Sequence, residues 1–299
     1  MSHPKAIPKH TRAHPTEELA MLPTSLRFRP RCMFVVLLSW ACYEFARLET
    51  RLVHGDDQAA LALVLAGIIG VSALVSSIVG FAFCALAGSA FAYLRLDPVE
   101  AVRLMVVCST ATQLYAVWKI RKGIRWSGLW SMLAAGAATV PLGVWLLLHV
   151  DGAIYSVGLG VLLCAYGAYA VFRRDNVVVR GTAWRDAIAG ALGGLAGGFA
   201  GLSGSFVAIW CSMRGWDKQA QRAVYQPFIL VMQVWTIVYL SWRSPRGASL
   251  LDGVEFVPFA LLGGVAGFAI YQRLTYAHFR AVVSALLMLS GLGLLSRSL

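Results

Sequence analysis

The chain contains few charged residues for its length. Asp, Glu, Lys and Arg make up only 13% of its 299 residues, whereas soluble domains carry about 25%. Hydrophobic residues account for 59% of the chain, and the mean hydropathy is +0.69. This composition excludes an ordinary soluble domain and predicts an all-α polytopic membrane protein.

Several long stretches contain no Asp, Glu, Lys or Arg at all. A membrane-spanning helix needs about 20 apolar residues, so most of these stretches are long enough for one crossing each. The first has 37 residues, which is too long for one straight helix and short for two full ones. The uncharged stretches are Gln58–Leu94, Trp126–Val150, Gly152–Phe172, Ala187–Met213 and Ala223–Trp242.

Motifs of several enzyme and pump classes are missing. The sequence contains no Walker A, H-E-x-x-H or dinucleotide-binding motif, so nothing indicates an ATP-driven pump or a zinc protease. The six cysteines lack the C-x-x-C spacing of metal ligands and are interpreted as small apolar core residues rather than as a disulfide framework. We therefore predict no cofactor and no metal site.

The basic residues outnumber the acidic ones, giving a net charge of +12. They gather in short loops, at Lys119–Arg125 and at the four arginines 173, 174, 180 and 185. This pattern matches the bias of positive charge toward the cytoplasmic side of a cell (inner) membrane, and it does not require a nucleic-acid partner. The same charge would attract small anions.

Two halves of the chain correspond at an offset of 120 residues. Asp97 and Asp217 each begin a predicted helix that carries an arginine about one and a half turns later, Arg103 and Arg222. Each half contains four elements, which gives about 8–9 transmembrane helices. Repeated halves around a central site are typical of transporters, although membrane proteins that transport nothing are also duplicated. We predict a basic cytoplasmic tail at 1–31, a membrane-embedded or interfacial helix at 32–57, and transmembrane repeats at 58–175 and 184–299.

One glycine-rich stretch, "GGLAGGFAGLSGSF" at 193–206, allows three interpretations. Glycines four residues apart let two helices approach closely. Alternatively, "GLSG" matches the serine motif of rhomboid-type intramembrane proteases, but such an enzyme needs a histidine base near Ser203. The only downstream histidine is His278, and the only asparagine is Asn176 in a basic loop.

The third interpretation is a broken helix. Glycine and serine tolerate unwinding, and backbone N–H groups released at membrane depth must find partners. An anion is such a partner, because the N-terminal end of a helix carries a partial positive charge. A second half-helix would begin near Ser203, where Ser203 and Ser205 could cap its amides or face a ligand.

The segment "GGLAGGFAGLSGSFVAIWCSMRGWDKQAQRAVYQPF" at 193–228 resembles the TauE/SafE family of sulfite and organosulfonate transporters. The likeness extends over roughly 58–296. It implies a secondary carrier of small sulfur-containing anions such as sulfite or C2 organosulfonates, with broken or re-entrant glycine-rich helices, and it favours export. The first half departs from the family pattern, because Phe83 and Cys84 stand where the second half has Ser203 and Gly204.

The predicted site combines hydroxyl, amide and guanidinium groups that suit an oxyanion. The guanidinium fork of Arg222 can hold a sulfonate through two oxygens, and an arginine within a membrane segment is usually functional. The protein is expected to act in the lipid bilayer with a coupling ion, proton or sodium, and a homodimer is left open. The predicted substrate-binding residues are Gly201, Ser203, Gly204, Ser205, Arg222, Gln226, Arg103, Thr110 and Gln113.

Overall fold

The computed structural model describes residues 57–124, 126–172, 179–243 and 253–271, together with 288, 291, 292 and 294–296. Every regular element in these ranges is a helix. The predicted tail at 1–31 and the predicted helix at 32–57 lie outside the described residues, except for Asp57. The helices are α1 Asp57–Val79, α2 Phe83–Tyr93, α3 Pro98–Ile120, α4 Trp130–His149, α5 Gly152–Phe172, α6 Ala183–Ala200, α7 Ser203–Met213, α8 Lys218–Arg243 and α9 Val257–Tyr271.

Five of these helices, α1, α3, α4, α5 and α8, are long and apolar enough to cross a membrane. The shorter apolar helices α2 and α7 span only 11 residues each, roughly half the length that a crossing needs. The described helices therefore agree with a polytopic membrane protein. The total of 8–9 spans stays a prediction.

Both long glycine-rich units are broken helices. The first unit is interrupted between α1 and α2 at Gly80, whose φ is +106°, and the second between α6 and α7 at Gly201, whose φ is +72°. Glycine adopts these angles without the steric penalty that a Cβ atom would bring. The short helices that follow, α2 and α7, begin 120 residues apart and end 120 residues apart. The 37-residue stretch is therefore one long and one short helix.

Each short helix leads into a long one through a similar turn. Arg95 and Gly215 both have positive φ, +58° and +67°. The Asp97 carboxylate then accepts a hydrogen bond from the Val99 amide at 2.9 Å, and Asp217 accepts one from the Ala220 amide at 2.7 Å. Both aspartates thus cap the helices that they were predicted to begin.

Glycines allow close packing in two pairs of helices, and each pair joins one half of the chain to the other. Helix α4 packs on α6, and a Cβ atom on Gly190, Gly194 or Gly198 would collide with the α4 backbone. Helix α9 packs on α1, and Gly263 and Gly267 lie directly against the α1 backbone. The packing role of these small residues is thus confirmed. In both cases the fourth helix of one half lies on the first helix of the other.

A partly buried ionic cluster fixes α7 to the start of α6. Asp186 accepts a hydrogen bond from Trp210 Nε1 at 2.6 Å and pairs with Arg214 at 3.2 Å. The Arg214 guanidinium also stacks on the Trp216 ring, 4.3 Å from its centroid. Ala66, Ala90 and Leu94 stand at the corresponding positions of the first half, so this cluster has no polar counterpart there.

Candidate functional site

The two helix breaks lie against each other. A Cβ atom on Gly201 would lie 3.0 Å from Cys84 Sγ, and one on Gly204 would lie 2.9 Å from Phe81 Cβ. Residues Phe81 and Gly201 are 120 residues apart, and so are Cys84 and Gly204. Each of the two contacts is therefore the counterpart of the other under the repeat. The beginnings of α2 and α7 therefore meet around one central point.

Neither short helix has a side-chain cap at its beginning. The N-cap residues are Ala82 for α2 and Leu202 for α7, and neither makes a capping hydrogen bond. Of the two roles that the sequence allowed for Ser203 and Ser205, capping does not occur, because both lie inside the first turn of α7. The Ser205 hydroxyl donates instead to the Leu202 carbonyl at 2.9 Å. The Ser205 amide donates to the same carbonyl at 3.3 Å, and neither serine hydroxyl accepts a capping hydrogen bond from the first turn of α7.

Arg222, in the second half of the chain, lies at the break of the first half. Its side chain is buried, with 5% of the residue exposed. Its Nη2 donates to the carbonyls of Ser77 at 3.1 Å and Ile78 at 2.7 Å, which belong to the last turn of α1. A helix C-terminus carries about half a negative charge and attracts a cation. The guanidinium of Arg222 therefore stabilises the end of α1 at the first break.

A small polar pocket opens beside the first break. Its volume is about 10 Å³, the room of roughly one water molecule. Gln226, which is 2% exposed, lines it, and the Gln226 Oε1 atom has no hydrogen-bond partner among the described residues. Gln113 donates through Nε2 to the Gly80 carbonyl at 3.4 Å. The remaining lining residues are Ser76, Ser77, Thr112, Tyr115, Ala116 and Phe268.

The predicted site residues thus divide into three groups. Gln113 and Gln226 line the pocket at the first break, and Arg222 lies at the same break. Gly201, Ser203, Gly204 and Ser205 form the second break. Arg103 and Thr110 lie on α3 outside the pocket, and the Thr110 hydroxyl donates to the Val106 carbonyl one turn earlier at 2.6 Å.

Several polar residues near the breaks were not predicted. Ser76 and Ser77 precede Gly80 in the pocket wall, and the serine pair shortly before a glycine in the run "SSIVG" was the signal that could have indicated them. Gln233 on α8 donates to the Ser109 hydroxyl on α3 at 2.7 Å. Gln113 and Gln233 are 120 residues apart, so the offset that relates the two halves already pointed to this second glutamine.

The serine of the "GLSG" motif has no catalytic surroundings. Ser203 is 1% exposed, and its hydroxyl makes no hydrogen bond within the part of the chain that the structure describes. The one histidine in that part, His149, donates through Nδ1–H to the Trp145 carbonyl at 2.7 Å and stacks on the Trp145 ring. His278 lies outside the described residues. The structure therefore offers no support for a serine nucleophile.

A comparison with known families agrees with the resemblance seen in the sequence. The model of the family described as sulfite exporter TauE/SafE matches residues 60–294, which include all the described helices except the first residues of α1. No curated protein and no solved structure matches the chain. The chain belongs to the TauE/SafE sulfite exporter family, a family of membrane transporters and not of enzymes.

Proposed function

We propose that the protein is a secondary transporter that exports sulfite or a C2 organosulfonate across the cell (inner) membrane. The observation that carries this proposal is the buried guanidinium of Arg222 at a broken helix, next to a pocket of neutral polar groups. A buried charge is expensive in a membrane protein and commonly marks a substrate pathway. Ser77, whose carbonyl accepts a hydrogen bond from Arg222, also lines the pocket, so an anion in the pocket would lie near the guanidinium.

The polar groups around the pocket suit an oxyanion. The amide of Gln113 and the hydroxyls of Ser76 and Ser77 can donate to anion oxygens. At the facing break, the first-turn amides of α7 and the buried Ser203 hydroxyl supply further donors. We propose that Gly201, Gly204 and Ser205 shape this second surface, and that Arg103 and Thr110 line the route to it.

Two transmembrane repeats, 58–175 and 184–299, are proposed to form the two sides of this site. Two observations support this division. Helices α2 and α7 have matching bounds, and the contacts of Gly201 with Cys84 and of Gly204 with Phe81 are counterparts under the repeat. We further propose that the tail at 1–31 is cytoplasmic and that 32–57 adds a helix in or on the membrane. A proton or sodium gradient is the proposed energy source, and pairing of two copies is part of the proposal.

The pocket has to widen before it can hold an oxyanion. A volume of about 10 Å³ accommodates a water molecule but not a sulfur atom with three oxygens. Tyr115 and Phe268 form part of its wall as an edge-to-face pair, with ring centroids 6.0 Å apart. Separation of α3 from α9 would move these rings apart, in keeping with the rocking motions of carriers built from repeats.

Transport by purified protein in liposomes tests the proposal. We expect movement of sulfite and of C2 sulfonates, driven by a proton or sodium gradient, and no movement of a neutral solute such as glycerol. Arg222→Gln should abolish it, whereas Arg222→Lys keeps the charge without the planar fork and should retain part of it. Arg185→Gln is the matched control, because Arg185 lies on α6 with its guanidinium over the Trp184 ring, away from the breaks.

Binding measurements in detergent separate the role of Arg222 in recognition from its role in folding. Loss of a charge-assisted contact worth about 1.5–3 kcal/mol should weaken substrate binding of the Gln variant roughly tenfold to a hundredfold. Unchanged affinity in a folded Gln variant would remove Arg222 from the site. Absence of any anion flux through well-inserted protein would instead favour a structural membrane protein.

A further inference from the structure

We propose that Lys119, Arg121 and Lys122, at the end of α3 and in the turn that follows it, form a basic mouth. This mouth attracts the anion on the cytoplasmic side and leads it to the pocket at the first break. The inference rests on the proposed function. It adds the side from which the substrate enters and the residues that attract it.

The three cations of the basic mouth are exposed and unpaired. None of them takes part in a hydrogen bond or an ion pair in the part of the chain that the structure describes. Aromatic rings lie beneath two of them instead. The Lys119 Nζ atom lies 5.6 Å from the centroid of the Tyr115 ring and 5.4 Å from that of Trp118, and the Arg121 guanidinium lies 5.6 Å from that of Trp118. A ring orients a cation without cancelling its charge, so the mouth can attract anions from solution.

The basic mouth lies one helical turn beyond the pocket. The pocket wall includes Thr112, Gln113, Tyr115 and Ala116 of α3. Lys119 follows Tyr115 by four residues, which places the two side chains on the same face of the helix. Tyr115 is thus both a wall of the pocket and the ring beneath the Lys119 ammonium. An anion drawn to Lys119 therefore arrives at the ring that has to move when the pocket widens.

The ends of α3 and α8 lie at opposite ends of this helix pair. Gln226 of α8 lines the pocket together with Gln113 of α3, whereas Gln233, further along α8, donates to Ser109, which is earlier on α3. The two helices therefore run antiparallel.

Only one of these two helix ends carries the basic mouth. Its three positions correspond under the repeat to Tyr239, Ser241 and Trp242 on α8, which are uncharged. The attraction therefore acts at the end of α3, and the bias of positive charge toward the cytoplasm places that end inside the cell. Loading from the cytoplasm agrees with export.

The rate at which sulfite binds to the purified full chain in detergent tests the inference. The triple variant Lys119→Gln, Arg121→Gln, Lys122→Gln should lower the association rate constant about tenfold at low ionic strength. The dissociation rate constant should stay unchanged, because the mouth does not contact the bound anion. At about 1 M salt the Debye length is only about 3 Å, so the triple variant and the wild type should associate equally fast.

Two single variants serve as controls. Lys119→Arg keeps the charge and should bind sulfite as fast as the wild type. Arg243→Gln is the matched control, because Arg243 is an exposed basic residue at the end of α8, away from the mouth. It should also leave the association rate constant unchanged. Thermal unfolding of each variant shows that it is folded.

Transport into membrane vesicles tests the side of entry. Inside-out vesicles present the cytoplasmic face to the medium. In these vesicles the triple variant should raise the KM for sulfite about tenfold at low ionic strength, with little change in kcat. In right-side-out vesicles the KM should not change.

Several outcomes would overturn the inference while leaving an anion transporter in place. The first is equal association rate constants for wild type and triple variant at low ionic strength, which would leave the cations only a role in orienting the chain. The second is an equal slowing by Arg243→Gln, which would attribute the effect to the total charge of the protein. The third is normal sulfite binding by the triple variant together with lost affinity for phosphatidylglycerol vesicles, which would assign the cations to lipid headgroups. If the wild-type protein binds no sulfite, the proposed function fails and the inference fails with it.

Discussion

Replacing Gly194 with alanine should push α4 and α6 apart. A Cβ atom on Gly194 would overlap the Gly136 carbonyl oxygen and would lie 2.7 Å from the Gly136 carbonyl carbon. Carbon atoms in contact normally lie about 3.5–4.0 Å apart, so the backbones would have to separate by about 1 Å. The atoms in the way belong to a helix backbone, which cannot rotate aside as a side chain can.

The energetic balance can be worked out from this geometry. Overpacking a close contact costs about 1–3 kcal/mol, and the upper end applies because the backbone cannot yield. Alanine recovers about 1 kcal/mol of helix propensity relative to glycine. The net expectation for Gly194→Ala is a loss of about 2 kcal/mol of stability. The unfolding temperature in detergent should therefore fall by several degrees.

Gly67 on α1 provides the control. It is also a glycine within a helix, but nothing lies within 4 Å of a Cβ atom placed on it. Gly67→Ala should therefore keep only the propensity gain and leave the unfolding temperature unchanged or slightly raised. Equal unfolding temperatures for the two variants would refute the view that the glycines of α6 serve close packing.

Three further changes probe other parts of the molecule. Gly201→Ala places a Cβ atom at a φ of +72° and should lower stability by about 1–2 kcal/mol, visible as a lower unfolding temperature together with impaired transport. Ser203→Ala removes a hydroxyl that has no described partner, so stability should hardly change; fluorophosphonate probes should not label the native protein, and stoichiometric labelling of Ser203 would restore the protease interpretation. Asp186→Ala leaves Trp210 and Arg214 without their shared acceptor and should cost about 3 kcal/mol, whereas Asp186→Asn keeps an acceptor for Trp210 and should cost less in thermal unfolding.

Local features of the fold could be predicted from the sequence because they depend on neighbouring residues. The start of α7 at Ser203 and the break before it follow from the clustering of glycine and serine. The helix caps at Asp97 and Asp217 follow from the preference of aspartate for that position. Ser203 and Ser205 do not cap α7, because the helix begins at Ser203, one residue earlier than a cap at Ser203 requires.

Contacts between the two halves could not be predicted from the sequence. Arg222, in the second half, donates to the carbonyls of Ser77 and Ile78 in the first half. Helix periodicity and capping rules carry no information about which distant helix lies alongside. The 120-residue offset related Arg103 to Arg222 in the sequence. Applied in the same way to Gln113 and Gln233, it would have indicated that Gln233 also belongs near α3.

The packing of α1, in the first half, against α9, in the second half, has a consequence for biosynthesis. Gly263 packs against Gly70, and these residues are separated by most of the chain. Because a ribosome delivers the N-terminal part first, the glycine face of α1 enters the membrane long before its partner exists. Lipid or an assisting membrane protein has to cover that face in the meantime, and a chain truncated before α9 would leave it open to degradation.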